Sequence, residues 1–141
     1  MPAGKRRQRD MAEVVVDASA VVDLLLGNEI GKLVATRLAG NELHAPAHLD
    51  AECLSALGRL HRAGDLTALA VEAMLSQLAS APIARHRVSE LITGAWQRRA
   101  NLRLANALYV ELANQLGISM LTTDMRLRPI GLVQVVEQDE G

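Results

Sequence analysis

The chain has 141 residues, half of them hydrophobic, with 15 Lys+Arg against 16 Asp+Glu and a formal net charge of -1. That length makes one domain burying about two-thirds of its unfolded surface, while the charge balance excludes a uniformly basic, histone-like nucleic-acid binder. With no Phe, and Trp96 and Tyr109 as its aromatics, the chain cannot form a platform that stacks many bases.

In chain order, residues 1–11 carry Lys5, Arg6, Arg7 and Arg9 and are expected as a disordered basic tail. The domain is expected over 12–136, and residues 137–141, with Glu137, Asp139 and Glu140, as an acidic tail. Val14-Val15-Val16 is a β-branched strand ending in Asp17; Ala18 to Leu26 follows as a helix stopped by Gly27. Asn28 caps a helix to Leu38, Gly40-Asn41 turns the chain, and Leu43 to Ala45 is a strand. From Ala47 to Ala63, Leu49, Cys53, Ala56, Leu57 and Leu60 recur at helical spacing, with Gly64 closing the helix. Asp65 is expected to cap the next helix, which ends before Pro82. Ile83 to Val88 is expected as a strand, Ser89 as the cap of a helix carrying Trp96, Leu104 to Leu116 as a further helix, and 119–122 and 133–136 as strands.

Strands alternating with helices predict an α/β fold with a central, mainly parallel sheet covered on both faces. Chemistry in such a fold sits at the carboxyl ends of the strands, near the point where strand order reverses. Asp17 follows the first strand and Asp124 the fourth, although a helix N-cap needs the same geometry as a site at Asp17. Glu52 edges the apolar stripe of its helix, where an unpaired carboxylate costs several kcal/mol. Three acids meeting at one sheet edge are better explained by a shared hard cation, Mg2+ or Mn2+, than by three independent caps.

Four blocks together carry a family resemblance: Val-Val-Asp17-Ala-Ser-Ala, Glu52-Cys-Leu-Ser-Ala-Leu-Gly-Arg-Leu, Asn106-Ala-Leu-Tyr-Val-Glu-Leu-Ala and Leu-Thr-Thr-Asp124-Met-Arg-Leu. In order and spacing over about residues 13 to 136, the chain resembles the PIN-domain ribonucleases, and among these a VapC-type toxin. The resemblance implies a three-layer α/β/α sandwich, metal-dependent endoribonuclease activity on an RNA substrate, homodimerisation, and a cognate VapB-type antitoxin at the cleft. It also implies Asp17, Glu52 and Asp124 as catalytic metal ligands, supported by Ser19 and Thr123. One position departs from the pattern. The usual Tyr-Asp-Ala-Leu-Tyr reads Ala105-Asn106-Ala107-Leu108-Tyr109 here, so an expected Asp is Asn106, whose amide oxygen can ligate Mg2+ without bringing charge. Three explanations stay open: an engineered substitution, a natural variant with weaker metal binding, or a member that has lost catalysis. The last makes the chain a binding module for antitoxin or RNA.

Other residues carry alternatives. Arg98-Arg99, like Arg85 and Arg87, are candidate RNA-phosphate contacts or solvated helix surface. His48 and Glu52 share an i,i+4 face, without the second His pair a transition-metal site needs. Cys53 is assigned to the core; Trp96 and Tyr109 are expected in the core or on a dimer surface; and Asp23 is either an extension of the acidic site or a surface charge. As the only cysteine, Cys53 excludes an internal disulfide and a thiolate zinc site. With no apolar run of membrane-spanning length, the expected location is cytoplasmic.

Overall fold

Three consecutive valines cannot alternate faces and remain half-wet, and the computed structural model, which describes residues 12–138, buries all of them in the central strand of a sheet. The elements are β1 (Glu13–Val16), α1 (Ala18–Leu26), α2 (Glu29–Leu38), β2 (Glu42–Pro46), α3 (Leu49–Arg62), α4 (Ala68–Ser80), β3 (Ile83–His86), α5 (Ile92–Gln97), α6 (Leu104–Leu116), β4 (Ser119–Thr122) and β5 (Val133–Val135). The five strands are parallel throughout, in the order β3-β2-β1-β4-β5. Helices cover the sheet in a three-layer α/β/α sandwich; α6 lies against β1, β2 and β4, while α1 packs on β4, α2 and α3. From β1 the chain moves outward to β2 and β3, then returns to add β4 and β5 on the other side. Strand order therefore reverses between β1 and β4, and the crevice at their carboxyl ends is the expected ligand position.

The segment 1–11 expected as a basic tail lies outside the described residues, as do 139–141 of the acidic tail. Glu137, assigned to that tail, pairs with Arg128. The helix after Gly64 starts later than expected: with Gly64 at φ +85°, the Asp65 N–H closes α3 on the Leu60 carbonyl, so Thr67 caps α4 instead, accepting from the Ala70 N–H at 3.1 Å. Ser89 is likewise no helix cap. It lies in a 3-10 turn (Val88–Glu90), separated from the short α5 by Leu91, whose side chain is buried in the core. β3 stops at His86 as an edge strand, and Val136 leaves β5 while its N–H still bonds Thr122. Trp96 is no core residue: it is 53% exposed, with the Arg99 guanidinium 4.7 Å from its ring centre. Cys53 is fully buried; burial, with the charges of Asp50 and Glu52, pushes its thiol up to about 12, as suits a packing residue.

Gly31 sets how closely α2 approaches α1. A Cβ there would collide with the backbone carbonyl oxygen of Asp23 and crowd the capping Asn28 side chain. Because the obstacle is backbone, the two helices would have to separate. Gly31→Ala is expected to destabilise the protein by about 3 kcal/mol, read in denaturant unfolding; a change within about 0.5 kcal/mol refutes this account of the packing.

Candidate active site

At the end of β1, Asp17 leaves the strand in an extended conformation and starts α1, so it is at once an N-cap and a carboxylate at the carboxyl edge. The Ala20 N–H (3.0 Å) and Ser19 hydroxyl (2.8 Å) donate to its Oδ1, and the Thr122 hydroxyl donates to Oδ2 at 2.5 Å. Only 4% of Asp17 is exposed, and among the described residues no Lys or Arg pairs with it. Burial outweighs the three hydrogen bonds, raising its pKa from 3.8 to about 6, with the charge of Asp124 adding a smaller push.

The supporting threonine at Asp17 is Thr122. Fully buried at the end of β4, which pairs with β1, Thr122 also accepts from the Asp124 N–H at 3.0 Å. Thr123, the residue implied by the resemblance, turns instead to Asp23, donating to its Oδ2 at 2.7 Å. Its N–H donates to Ser19 at 3.2 Å, so Ser19 links both ends of the crevice. Asp124 caps a 3-10 turn (Met125–Leu127) and receives the Arg126 Nε (3.0 Å) and Nη2 (2.9 Å). Those bonds, with Arg103 nearby, hold its carboxyl below the ordinary range.

Glu52 reaches the same crevice from α3. The Tyr109 hydroxyl, from α6, donates to its Oε1 at 2.5 Å, and His48 Nε2 lies 3.3 Å from that oxygen. Burial, then the bond to Glu52, raises the Tyr109 hydroxyl far above its usual range, which keeps it a donor. Ser19, Asp23, Glu52, Arg59, Arg103 and Arg126 line a cleft of about 750 Å³; Asp17 and Asp124 are not in its lining and adjoin it through their bonds to Ser19 and Arg126. Asn106 stands in the first turn of α6 beside Ala105, which lines this cleft; it is half-buried, and its amide makes no hydrogen bond among the described residues.

Three of the four arginines singled out in the sequence have partners in the fold. Arg98 pairs with Glu111 at 3.1 Å, Arg99 covers Trp96, and Arg85 is tied to Asp50 and the carbonyls of Leu78, Ala81 and Ile83. The cleft cations are Arg59, Arg103 and Arg126, supplied by three separate segments. No spacing in the sequence marks them as a group.

The tightest set of metal-ligating atoms among the described residues lies elsewhere: Glu13, Glu42 and His44, within 4.8 Å of one another, at the amino-terminal end of β1 and β2. Glu13 and Glu42 face each other in register, and the His44 ring, 3.0 Å from Glu13, accounts for their tolerance. At the carboxyl edge the donors are more dispersed, but their chemistry fits a hard divalent cation: carboxylates of Asp17, Glu52 and Asp124, neighbouring hydroxyls, and in Asp17 a buried anion with no counter-charge.

Comparison with known proteins accords with this arrangement. A family model for the PIN domain matches residues 14–131, and the chain belongs to the PIN-domain family. Within it, the chain is 56% identical over 116 residues to Ribonuclease VapC3 of Mycobacterium tuberculosis, covering 82% of this chain and 85% of that protein. Ribonuclease VapC12 of the same organism is 36% identical over 117 residues, 81% of this chain and 88% of that one. A chain from a toxin–antitoxin complex of Klebsiella pneumoniae shares the fold with a TM-score of 0.64 at 15% identity, covering 89% of this chain and 99% of that one.

Proposed function

We propose that this chain is the endoribonuclease toxin of a toxin–antitoxin pair, hydrolysing RNA phosphodiester bonds with Mg2+ or Mn2+ held by Asp17, Glu52 and Asp124. Kinship with the VapC ribonucleases supports the reaction class. The observation that carries the site assignment is Asp17, a buried carboxylate at the strand-order reversal with three donors and no cation beside it. When bound, the divalent ion supplies Lewis acidity, neutralising phosphate charge and favouring deprotonation of a water.

The protein's own residues orient and attract. Thr122 and Ser19 lock the Asp17 carboxylate, while Arg59, Arg103 and Arg126 surround the cleft with groups suited to phosphate. RNA phosphates are assigned first to Arg59 and Arg103, which line the cleft; Arg126 also lines it but is held by Asp124, as Arg98 is by Glu111 and Arg99 lies over Trp96. Asn106 contributes a neutral oxygen to a second, weaker metal position, and Ser19 and Thr123 brace the edge through Asp17 and Asp23. The expected products carry a 5'-phosphate and a 3'-hydroxyl.

A VapB-type antitoxin at the cleft and a homodimer belong to the same proposal. Exposed Ile92, Trp96 and Leu104 on α5 and α6 support a second copy at that face. A cytoplasmic location completes the proposal; no helix among the described residues is long and apolar enough to cross a membrane.

Purified protein offered structured RNA with Mg2+ or Mn2+ is expected to cleave it internally, and EDTA to stop the reaction. Intact RNA with both the given protein and its Asn106→Asp form, under every divalent ion tried, overturns the enzymatic reading.

A further inference from the structure

Of the three proposed ligands, Glu52 reaches the cleft from within a helix, the first turn of α3, at the end of a flexible side chain. A carboxylate there has two equivalent oxygens and several rotamers, and a ligand that must be ordered on binding loses affinity to that ordering. In this structure the two oxygens are not equivalent. Tyr109, 1% exposed and fixed in the core of α6, donates its hydroxyl to Oε1 at 2.5 Å. His48, one helical turn before Glu52, places Nε2 3.3 Å from the same Oε1 and 3.2 Å from the Ala105 carbonyl oxygen.

The Ala105 carbonyl is an acceptor, so Nε2 carries a ring proton directed to it. His48 Nδ1 is buried with no hydrogen-bond partner. The imidazole also packs on the Tyr109 ring, with centroids 4.7 Å apart and planes tilted by 43°. Tyr109 is thus the hydrogen-bond donor to Glu52 Oε1, from another helix and with the His48 ring alongside, and among the described residues Oε2 has no protein partner.

We propose that Tyr109, with His48 beside it, is the positioning residue of Glu52: its hydroxyl pins Oε1 so that Oε2 alone is presented as a monodentate metal ligand. The inference rests on the preceding assignment of Glu52 to the metal. Tyr109, buried and outside the cleft lining, acts through the carboxylate it holds. Hydrogen-bonded partners of metal ligands of this kind change metal affinity by about 10- to 100-fold when removed.

The test is a titration of the full-length protein with Mn2+, followed by calorimetry and by the paramagnetic resonance of the free ion, alongside thermal melts. Tyr109→Phe keeps the ring and removes the hydroxyl. It is expected to weaken Mn2+ binding about 10- to 100-fold, with RNA cleavage recovering as Mn2+ is raised towards saturation. His48→Phe keeps the ring contact to Tyr109 and removes the nitrogen 3.3 Å from Oε1; it is expected to weaken binding severalfold and keeps the test decisive if Tyr109→Phe fails to fold. A hydroxyl with only a structural role would lower the melting temperature and leave Mn2+ affinity untouched. Mn2+ affinity within twofold of wild type in both variants, when Glu52→Gln weakens it strongly, overturns the proposal alone. Unchanged Mn2+ binding in Glu52→Gln overturns the assignment of Glu52 as ligand and this inference with it.

Discussion

Asp17→Asn is expected to melt about 5 °C higher than the wild-type protein at pH 7 in the presence of a chelator, and to lose both RNA cleavage and the stabilisation that Mn2+ confers. Burial raises the Asp17 pKa from 3.8 to about 6, so at pH 7 the folded protein holds a buried anion that the unfolded chain leaves in water. A displacement of that size corresponds to about 3 kcal/mol of destabilisation. As pH falls through 6, the native state takes up a proton that the unfolded chain does not yet bind, and stability rises; below about pH 4 both states are protonated and the penalty is gone. Asparagine keeps an oxygen for the Ala20 N–H, while its amide must find an acceptor in a rotated Thr122 hydroxyl. A net gain of about 1–2 kcal/mol therefore remains, equivalent to several degrees for a domain of this size. The advantage of the variant is expected to vanish near pH 4. A divalent ion reverses the order at pH 7, since ligand at 100 times its Kd stabilises wild type by about 2.7 kcal/mol and leaves the variant almost unaffected. Differential scanning calorimetry at pH 4 and 7, with EDTA or with Mn2+, distinguishes these states. A variant that melts at or below wild type in EDTA at pH 7 contradicts the account of Asp17 as an uncompensated anion.

The position of Asp17 and Asp124 was legible because two local patterns suffice for it. A β-branched or apolar run ending in an acid marks the carboxyl end of a strand whatever the sheet order, and at Asp17 the helical pattern that follows adds to the signal. Helix ends were legible where a single residue decides them, as at Gly27 and Asn28, and misread where two compete. Asp65 and Thr67 are both good caps, and the choice fell to Thr67 because the Asp65 N–H is used to close α3. Thr122 and Thr123 are adjacent residues of one type, yet β4 directs the first towards Asp17 and the second leaves the strand towards Asp23. Which of the two supports Asp17 depends on the pairing of β4 with β1, 105 positions away in the case of the Asp17–Thr122 bond. Arg98 has the same lesson in reverse: its partner Glu111 lies on the following helix, so its charge is neutralised by packing rather than offered to solvent. From its place on a predicted helix, Tyr109 reads as a residue of the core or of a dimer surface. Its hydroxyl acquires a role only because α3 and α6 meet.

Asn106→Asp is expected to raise RNA cleavage at sub-saturating Mn2+ by about tenfold or more. Asn106 sits in the first turn of α6, next to the cleft-lining Ala105, with an amide that has no hydrogen-bond partner among the described residues. A carboxylate is favoured there by the helix N-terminus, and Arg103 stands at the cap of the same helix. At an effective dielectric near 20, two unit charges about 4 Å apart interact by about 4 kcal/mol, and a divalent ion by roughly twice that in gross attraction. Most of this is offset, because a fourth carboxylate adds three pairwise repulsions to a site where, behind the larger effect of burial, Asp124 already pushes the Asp17 pKa up slightly. A residual of about 1.4 kcal/mol suffices for the tenfold change. The same repulsions predict that Asn106→Asp melts lower than wild type in EDTA and gains more from Mn2+, so stability and activity move in opposite directions. Cleavage measured across an Mn2+ titration, paired with melts in EDTA, reads both. If cleavage and Mn2+ affinity are unchanged by the substitution, Asn106 lies outside the metal site. If both variant and wild type bind antitoxin tightly and cut nothing, the binding-module reading replaces the enzymatic one.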